Sequence, residues 1–400
     1  MKAAFDETPT RDEARPARSA PQRASRLPQV LLAITALAIT LGVLEVLLAL
    51  FAPQRTRDHV AGNHAAMYRR GDVFPFELIP GFSGREREHE GEFDVAIDIN
   101  SLGFRQPEVT RERTTDVRMV AVGDSFTFGD GVEASEAWPL AVERAFAARS
   151  GLTTQVLNAG VPGRWMDEYY LELAERSLAL DPDVVLLGFF VGNDVDGSDA
   201  REHIWTRIDE KGLPLAVDVP GLRVEDGLRV KSKQKTRWRL PIVRDSHVAQ
   251  LFYDGGRAIV EAWHPSPLAE DIVYTPEDTP ESKAVVARVE RLLLAIAELC
   301  RKHGARLLVV MIPTREQLHQ ELAPDDRPRD WEKPQRHFTA FLERSGIPYL
   351  DLRPGLEAVR DEAPLYYTFD AHWTPRGHAL AAEAIAEKLD DFDLGARDGG

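Results

Sequence analysis

Four short stretches of the chain concentrate the side chains that acyl chemistry uses. Gly123-Asp124-Ser125 ends a short apolar run that starts at Arg118, so it places a hydroxyl at a strand-to-loop turn. Asn158-Ala159-Gly160-Val161-Pro162-Gly163 follows a second run, and its glycines let backbone N–H groups face a ligand. Gly192-Asn193-Asp194 follows a third run and supplies an amide side chain. Asp370-Ala371-His372-Trp373 precedes the last helix and supplies an imidazole with a carboxylate nearby. A hydroxyl nucleophile, an imidazole base, an acid to orient it and amide donors for an oxyanion are the parts that acyl transfer needs. Each part alone has a plainer meaning. A serine at a helix start is a common cap. Asp124 and Asp194 read as side chains that fix their loops, and Trp373 as core filling or a pocket wall. His378, on the final helix, competes with His372 for the role of base and reads as a packing or capping residue.

For these stretches to meet, strands must carry them to one sheet edge. From about residue 117 the apolar pattern alternates between strand and helix. Strands are predicted at 118–123, 155–158, 183–190, 306–312 and 347–352. Helices are predicted at 134–149, 166–180, 281–303, 332–345 and 375–389. Asp183 to Phe190 is apolar nearly throughout, as a strand inside a parallel sheet must be. Right-handed crossovers then bring the strand C-terminal ends to one edge, where open α/β sheets bind ligands. Upstream, Phe93 to Ile99 alternates as a half-buried strand, Glu86 to Glu92 reads as an exposed turn, and Asn100 to Arg105 as another turn.

The constellation resembles the SGNH hydrolases, also called the GDSL esterase/lipase family. Gly123-Asp124-Ser125 matches the first block, Gly163 the second (Gly160 being the alternative), Asn193-Asp194 the third, and His372 the last, with Gly377-His378 following. The likeness covers about residues 117–390, and Asn100 to Arg105 is similar to the lead-in of membrane-anchored bacterial members. One G-D-S alone is weak; four blocks in order on strand ends are specific. The resemblance implies a three-layer α/β/α sandwich with a parallel, flavodoxin-like sheet. It also implies that Ser125 attacks an ester, that His372 is the base, and that Asp370 orients it. The Ser125 and Gly163 N–H groups and the Asn193 side chain would form the oxyanion hole. No cofactor is expected, and because no His/Asp/Glu cluster shows metal-ligand spacing, no metal is expected either. The sequence departs from the pattern twice. Val191 stands where the third block has glycine, and the acid is two residues before His372, not three, Phe369 holding the usual place. The shorter spacing occurs in acetyltransferase-like alginate proteins of the family, and Asp351 is the reserve acid.

The N-terminus is a separate matter. Residues 1–27 are polar and arginine-rich, which reads as a disordered cytoplasmic tail. An anchor is read at residues 28–52, where the apolar run from Val30 to Ala52 is interrupted only by Glu45 and is long enough to span a bilayer. The run is too long for a signal h-region and ends in a poor cleavage site, so a retained anchor is expected. Arg15, Arg18, Arg23 and Arg26 precede it, which puts the N-terminus inside and the rest outside the cytoplasmic (inner) membrane. Residues 53–115 form a lead-in that packs on the main domain at 116–392, which carries an insertion at about 196–280. The basic cluster there (Arg229, Lys231, Lys233, Lys235, Arg237 and Arg239) reads as a solvated face, with an anionic-substrate or headgroup surface as the sharper alternative. Cys300 is the one cysteine and reads as helix filler. A formal charge of −16 argues against a nucleic-acid binder. The expected function is a serine-dependent esterase acting outside the membrane on an ester of a small molecule, lipid or glycan. An O-acyltransferase of an extracytoplasmic glycan and a non-catalytic, membrane-tethered binding module are the alternatives.

Overall fold

The computed structural model describes residues 26–51, 65–88, 91–195, 206–219, 222–230, 246–249, 251–252, 273–323 and 327–394. The N-terminal tail read as disordered lies almost wholly outside these residues, and so does the basic cluster except Arg229. The chain divides into two compact units, Met1–Gln54 and Arg55–Gly400. Among the described residues the first holds one helix, α1 (Leu27–Phe51), whose Pro28–Phe51 segment is long and apolar enough to cross a membrane. At 1.5 Å per residue it reaches about 36 Å, against a hydrocarbon core of about 30 Å.

The second unit opens with two small antiparallel pairs: β1 (Tyr68–Arg69) with β2 (Glu77–Leu78), and β3 (Ser83–Arg87) with β4 (Asp94–Asp98). The predicted strand at 93–99 is β4, whose buried Val95 and Ile97 alternate with outward residues. The predicted exposed turn at 86–92 starts later than read. Glu86 and Arg87 still belong to β3, a strand of charged residues that the sequence pattern hides because only one of its faces touches protein.

The central sheet contains β5 (Val117–Val122), β6 (Thr154–Asn158), β7 (Val184–Phe190), β12 (Arg306–Ile312) and β13 (Tyr349–Asp351), in the order β13-β12-β7-β5-β6. All four pairings are parallel. Numbered among themselves these strands run 2-1-3-4-5, the flavodoxin-like order, and the strand order reverses between β5 and β7. Between β7 and β12 lie two short antiparallel pairs, β8 (Thr206–Ile208) with β9 (Pro214–Val217) and β10 (Arg223–Glu225) with β11 (Leu228–Val230).

Helices cover both faces of the sheet. Among the described residues the second unit includes α2 (Ser125–Phe128), α3 (Trp138–Ser150), α4 (Met166–Glu175), α5 (Pro280–Lys302), α6 (Arg315–Leu318), α7 (Lys333–Ser345), α8 (Arg353–Ala358) and α9 (Pro375–Lys388). On one face Tyr169, Leu293, Ile296 and Phe338 from α4, α5 and α7 pack on Val185, Leu187 and Val309. On the other, Trp138, Val142 and Ile385 from α3 and α9 pack on Met119, Leu186 and Val310. This is a three-layer α/β/α sandwich. Two helices are shorter than their patterns. Pro139 lacks an N–H and stands at the second position of α3, which therefore begins at Trp138 and not at 134. The helix read at 166–180 breaks at Arg176 and resumes as a 3-10 turn, Ser177–Leu180. Cys300 is buried in the core, and burial pushes its thiol up to about 12, which suits inert filler.

Candidate active site

Ser125 is the first residue of α2, a single turn that β5 runs into. Asp124 caps that turn by accepting the Phe126 N–H at 2.9 Å, and Gly129 closes it at φ 90°, a left-handed conformation suited to glycine. The turn sits low on the sheet because Gly123 and Gly188 leave room for Thr127; a Cβ at either glycine would collide with the Thr127 hydroxyl. As the first helical residue, Ser125 has a backbone N–H with no acceptor in its own turn.

His372 and Asp370 come from the other end of the chain. The His372 Nε2 lies 2.7 Å from Ser125 Oγ, and its Nδ1 lies 2.5 Å from Asp370 Oδ1. Ser125 is 9% exposed, while His372 and Asp370 remain partly open to solvent. The Asp-x-His spacing works because Ala371 takes φ 67°, in the left-handed region, so the acid doubles back onto the imidazole two residues later. That conformation costs an alanine about 1–2 kcal/mol. Asp351, the reserve acid, sits on the edge strand β13 and accepts the N–H of Arg353. His378 is buried on α9, and its Nδ1 accepts the N–H of Trp138, the first residue of α3. Burial pushes its pKa down to about 3, so it stays neutral and caps a helix. Phe126 forms an aromatic wall, its ring centroid 5.0 Å from that of His372 and 5.2 Å from that of Trp373.

The first and third blocks are joined by Asp124, whose second oxygen accepts Asn193 Nδ2 at 2.9 Å. One Nδ2 proton is thereby committed and the other is left to donate elsewhere. Asp194 is buried and accepts the Phe190 N–H at 2.8 Å, so it fixes the loop that carries Asn193. In the second block, Asn158 Oδ1 accepts the Gly160 N–H at 3.1 Å, and a Cβ on Gly160 would strike the backbone of Thr127 and Phe128. Gly160 therefore serves close packing, and its donor is spent. Gly163 adopts φ 75°, with the Arg229 guanidinium beside it, donating to Pro162 O at 2.5 Å.

The electrostatics of the site are dominated by carboxylates around one imidazole. Burial alone would lower the pKa of His372. The hydrogen bond with Asp370 and the charges of Asp130, Asp370 and Asp124 outweigh it and raise the value to about 9. Burial lifts Asp124 above the usual carboxylate range and Asp130 up to about 7. Among the described residues no group of three or more His, Cys, Asp or Glu is placed to hold a metal ion.

Sequence reasoning missed several residues that hold these loops. Arg105 is 0% exposed and donates to the carbonyls of Phe128, Gly129, Ala96 and Val132, tying β4 to the segment after Ser125. Arg315 donates to Thr368 O at 2.6 Å, and Glu92 accepts backbone N–H groups from the same loop. Arg105 lay within the quoted Asn100–Arg105 motif; Glu92 was hidden in a run of charges.

Residues 272–398 match the family model "SGNH hydrolase-like domain, acetyltransferase AlgX". Over that stretch the chain is similar to the SGNH hydrolase-like domain. Among curated proteins it is 25% identical over 144 residues to the probable alginate O-acetylase AlgJ of Pseudomonas putida, covering 35% of this chain and 36% of that one. It is 33% identical over 104 residues to the alginate biosynthesis protein AlgX of Pseudomonas aeruginosa, covering 25% of this chain and 22% of that one. The chain thus spans well under half the length of the curated relatives it matches. Among solved structures, a lipase/acylhydrolase from Enterococcus faecalis aligns over 69% of this chain and 96% of its own, at TM-score 0.39 and 14% identity.

Proposed function

We propose that this chain is a serine-dependent ester hydrolase or acyltransferase in which Ser125, His372 and Asp370 act as one unit. The observation that carries this reading is the continuous hydrogen-bonded line from Asp370 through His372 to Ser125 Oγ. In the first step Ser125 Oγ bonds to the ester carbonyl carbon and passes its proton to His372 Nε2. The oxyanion that forms is held by the N–H groups of Ser125 and Gly163 and by the free Nδ2 proton of Asn193. The carbon–oxygen bond to the alcohol then breaks, and the imidazolium protonates the leaving oxygen. The acyl group on Ser125 is released to a hydroxyl deprotonated by the same imidazole. If the hydroxyl is water the reaction is hydrolysis; if it is a sugar hydroxyl, O-acylation. The likeness to AlgJ and AlgX, both named for alginate, favours a glycan as one partner. Helix α1 would anchor the chain with its N-terminus inside and the site outside the cytoplasmic membrane.

The test is Ser125→Ala in the full chain. Hydrolysis of p-nitrophenyl acetate should fall by at least about 1000-fold, and fluorophosphonate labelling should disappear. Hydrolysis that survives unchanged would overturn the reading. Incubation with an acetyl donor and a polysaccharide acceptor, followed by analysis of the glycan, separates the two outcomes: free acetate alone marks a hydrolase, acetylated glycan a transferase.

A further inference from the structure

We propose that Glu92, on the hairpin upstream of the main sheet, is a positioning residue that sets the pose of the Asp370–His372 pair. This rests on the reading of that pair as catalytic. The loop from Tyr367 to His372 is a tight turn closed by the Tyr367 N–H on His372 O. Inside it, three consecutive N–H groups point outward, and Glu92 collects all of them. Oε1 accepts from Thr368 at 2.6 Å, and Oε2 accepts from Phe369 at 3.0 Å and from Asp370 at 3.1 Å. Apolar packing does not hold the loop tip, since Phe369 is 66% exposed. The opposite side is held through its carbonyls by Arg315, and Tyr367 donates to Gly131 O at 2.8 Å. The turn also contains Ala371 in the left-handed region, so left alone its backbone would relax toward extended conformations. Such relaxation carries Asp370 away from His372 Nδ1. A carboxylate gripping the N–H of Asp370 itself opposes that movement directly. Glutamate fits because one carboxylate accepts several N–H bonds at once; a glutamine in its place would turn an NH₂ toward some of them.

The test compares full-length wild type with Glu92→Ala, Glu92→Gln and Asp94→Ala. Asp94 pairs with Arg85 and Arg87 on the outer face of the same hairpin, so its variant controls for loosening of the hairpin. Two readouts are needed: kcat/KM for p-nitrophenyl acetate across pH, and the apparent pKa of His372 from its rate of diethyl pyrocarbonate modification, read by mass spectrometry. The charges facing His372 are Asp370, Asp130 and Asp124, and only the distance to Asp370 should change. Glu92→Ala should lower kcat/KM by about 10- to 100-fold with little change in KM, as expected for misplacement on the ångström scale. The pKa of His372 should fall by about one unit. Glu92→Gln should show a smaller loss in the same direction, and it carries the test if the alanine variant does not fold. Asp94→Ala should match wild type in both readouts. Wild-type kcat/KM in the Glu92 variants would overturn the proposal, as would a loss that only tracks the folded fraction while the His372 pKa stays put. Activity surviving in Ser125→Ala would sink the catalytic reading instead, and the modification rates would still decide whether Glu92 sets the pose.

Discussion

Replacing Asp370 by asparagine should change the pH profile as much as the rate. Asp370 acts on His372 through a hydrogen bond at 2.5 Å and through its charge, and with Asp130 and Asp124 it holds the imidazole at about 9 despite burial. Only the neutral imidazole can accept the Ser125 proton. At pH 7 a pKa of about 9 leaves about 1% of the enzyme in that form, so kcat/KM of the wild type should climb until about pH 9. Removing a carboxylate partner lowers such a pKa by about 1–3 units. In Asp370→Asn the active form at pH 7 should therefore rise to about 10–90%. The plateau should fall by about 100- to 10,000-fold, since the imidazolium formed in the transition state loses its support. The two effects oppose each other at neutral pH. The loss measured at pH 7 should be about 10-fold or more smaller than the loss at pH 9.5, where the wild type is on its plateau. Initial rates with p-nitrophenyl acetate from pH 6 to 10, corrected for buffer hydrolysis, test this directly. A loss equal at every pH would mean that the acid limb has not moved, and it would refute the assignment of Asp370 as the group that sets the base.

Three further outcomes follow from the same geometry. Ala371→Gly should leave thermal stability within about 1 kcal/mol of wild type, because relief of the left-handed strain is offset by a freer unfolded chain; Ala371→Val should cost at least about 2 kcal/mol. Denaturant melts of both variants check this, and a neutral valine would sink the claim of strain. Arg105→Met should destabilise by about 3–5 kcal/mol, since three buried carbonyls and one half-buried one lose their donor, and an unchanged melt would contradict that role. Burial raises Glu168 to about 8, so between pH 4.5 and 8 the folded state holds a proton that the unfolded state has lost, and this group's contribution to stability falls as pH rises through that window. Glu168→Gln should flatten the decline in denaturant melts taken from pH 4.5 to 8; an unaltered slope would show that Glu168 is ionised in the fold.

The parts of this molecule that were legible in the sequence are those where one residue type has one physical meaning. Val184–Phe190 and Arg306–Ile312 are apolar runs too short for spanning helices and too continuous for a half-solvated sheet, and they are the sheet's adjacent interior strands. Ser125 and His372 stood out because a G-D-S turn at a strand end and a late histidine before the last helix fall in the order that the resemblance implies. What stayed hidden depends on conformation or on distant partners. Nothing about an alanine announces a left-handed φ, so the short Asp-x-His spacing looked like a defect when it is one turn of strained backbone. Glu92 lies in a run of acids that reads as solvated, and only the fold shows which loop faces it. Arg105 is buried against the usual habit of arginine, because carbonyls left open by the loop after Ser125 need donors. The two-residue strands β1 and β2 are below the length at which periodicity carries any signal.

These hidden residues share a purpose that the four blocks alone cannot serve. The proposed catalytic groups sit on loops, and loops are the most mobile parts of a sheet protein. Catalysis by fixed dipoles requires that they not reorganise as charge develops. Here the rigidity comes from side chains that reach across large sequence separations, two of them to backbone groups and one to another side chain: Glu92 and Asp370 are 278 residues apart, Arg105 and Val132 are 27 apart, and Asp124 and Asn193 are 69 apart. The Glu92–Asp370 contact cannot form until the β3–β4 hairpin and the loop before the final helix have come together. Of the three it carries the highest loop-closure cost. A change in the hairpin that leaves the sheet intact should therefore disturb chemistry before it disturbs the fold, because the sheet does not need the hairpin to close and the Asp370 loop does.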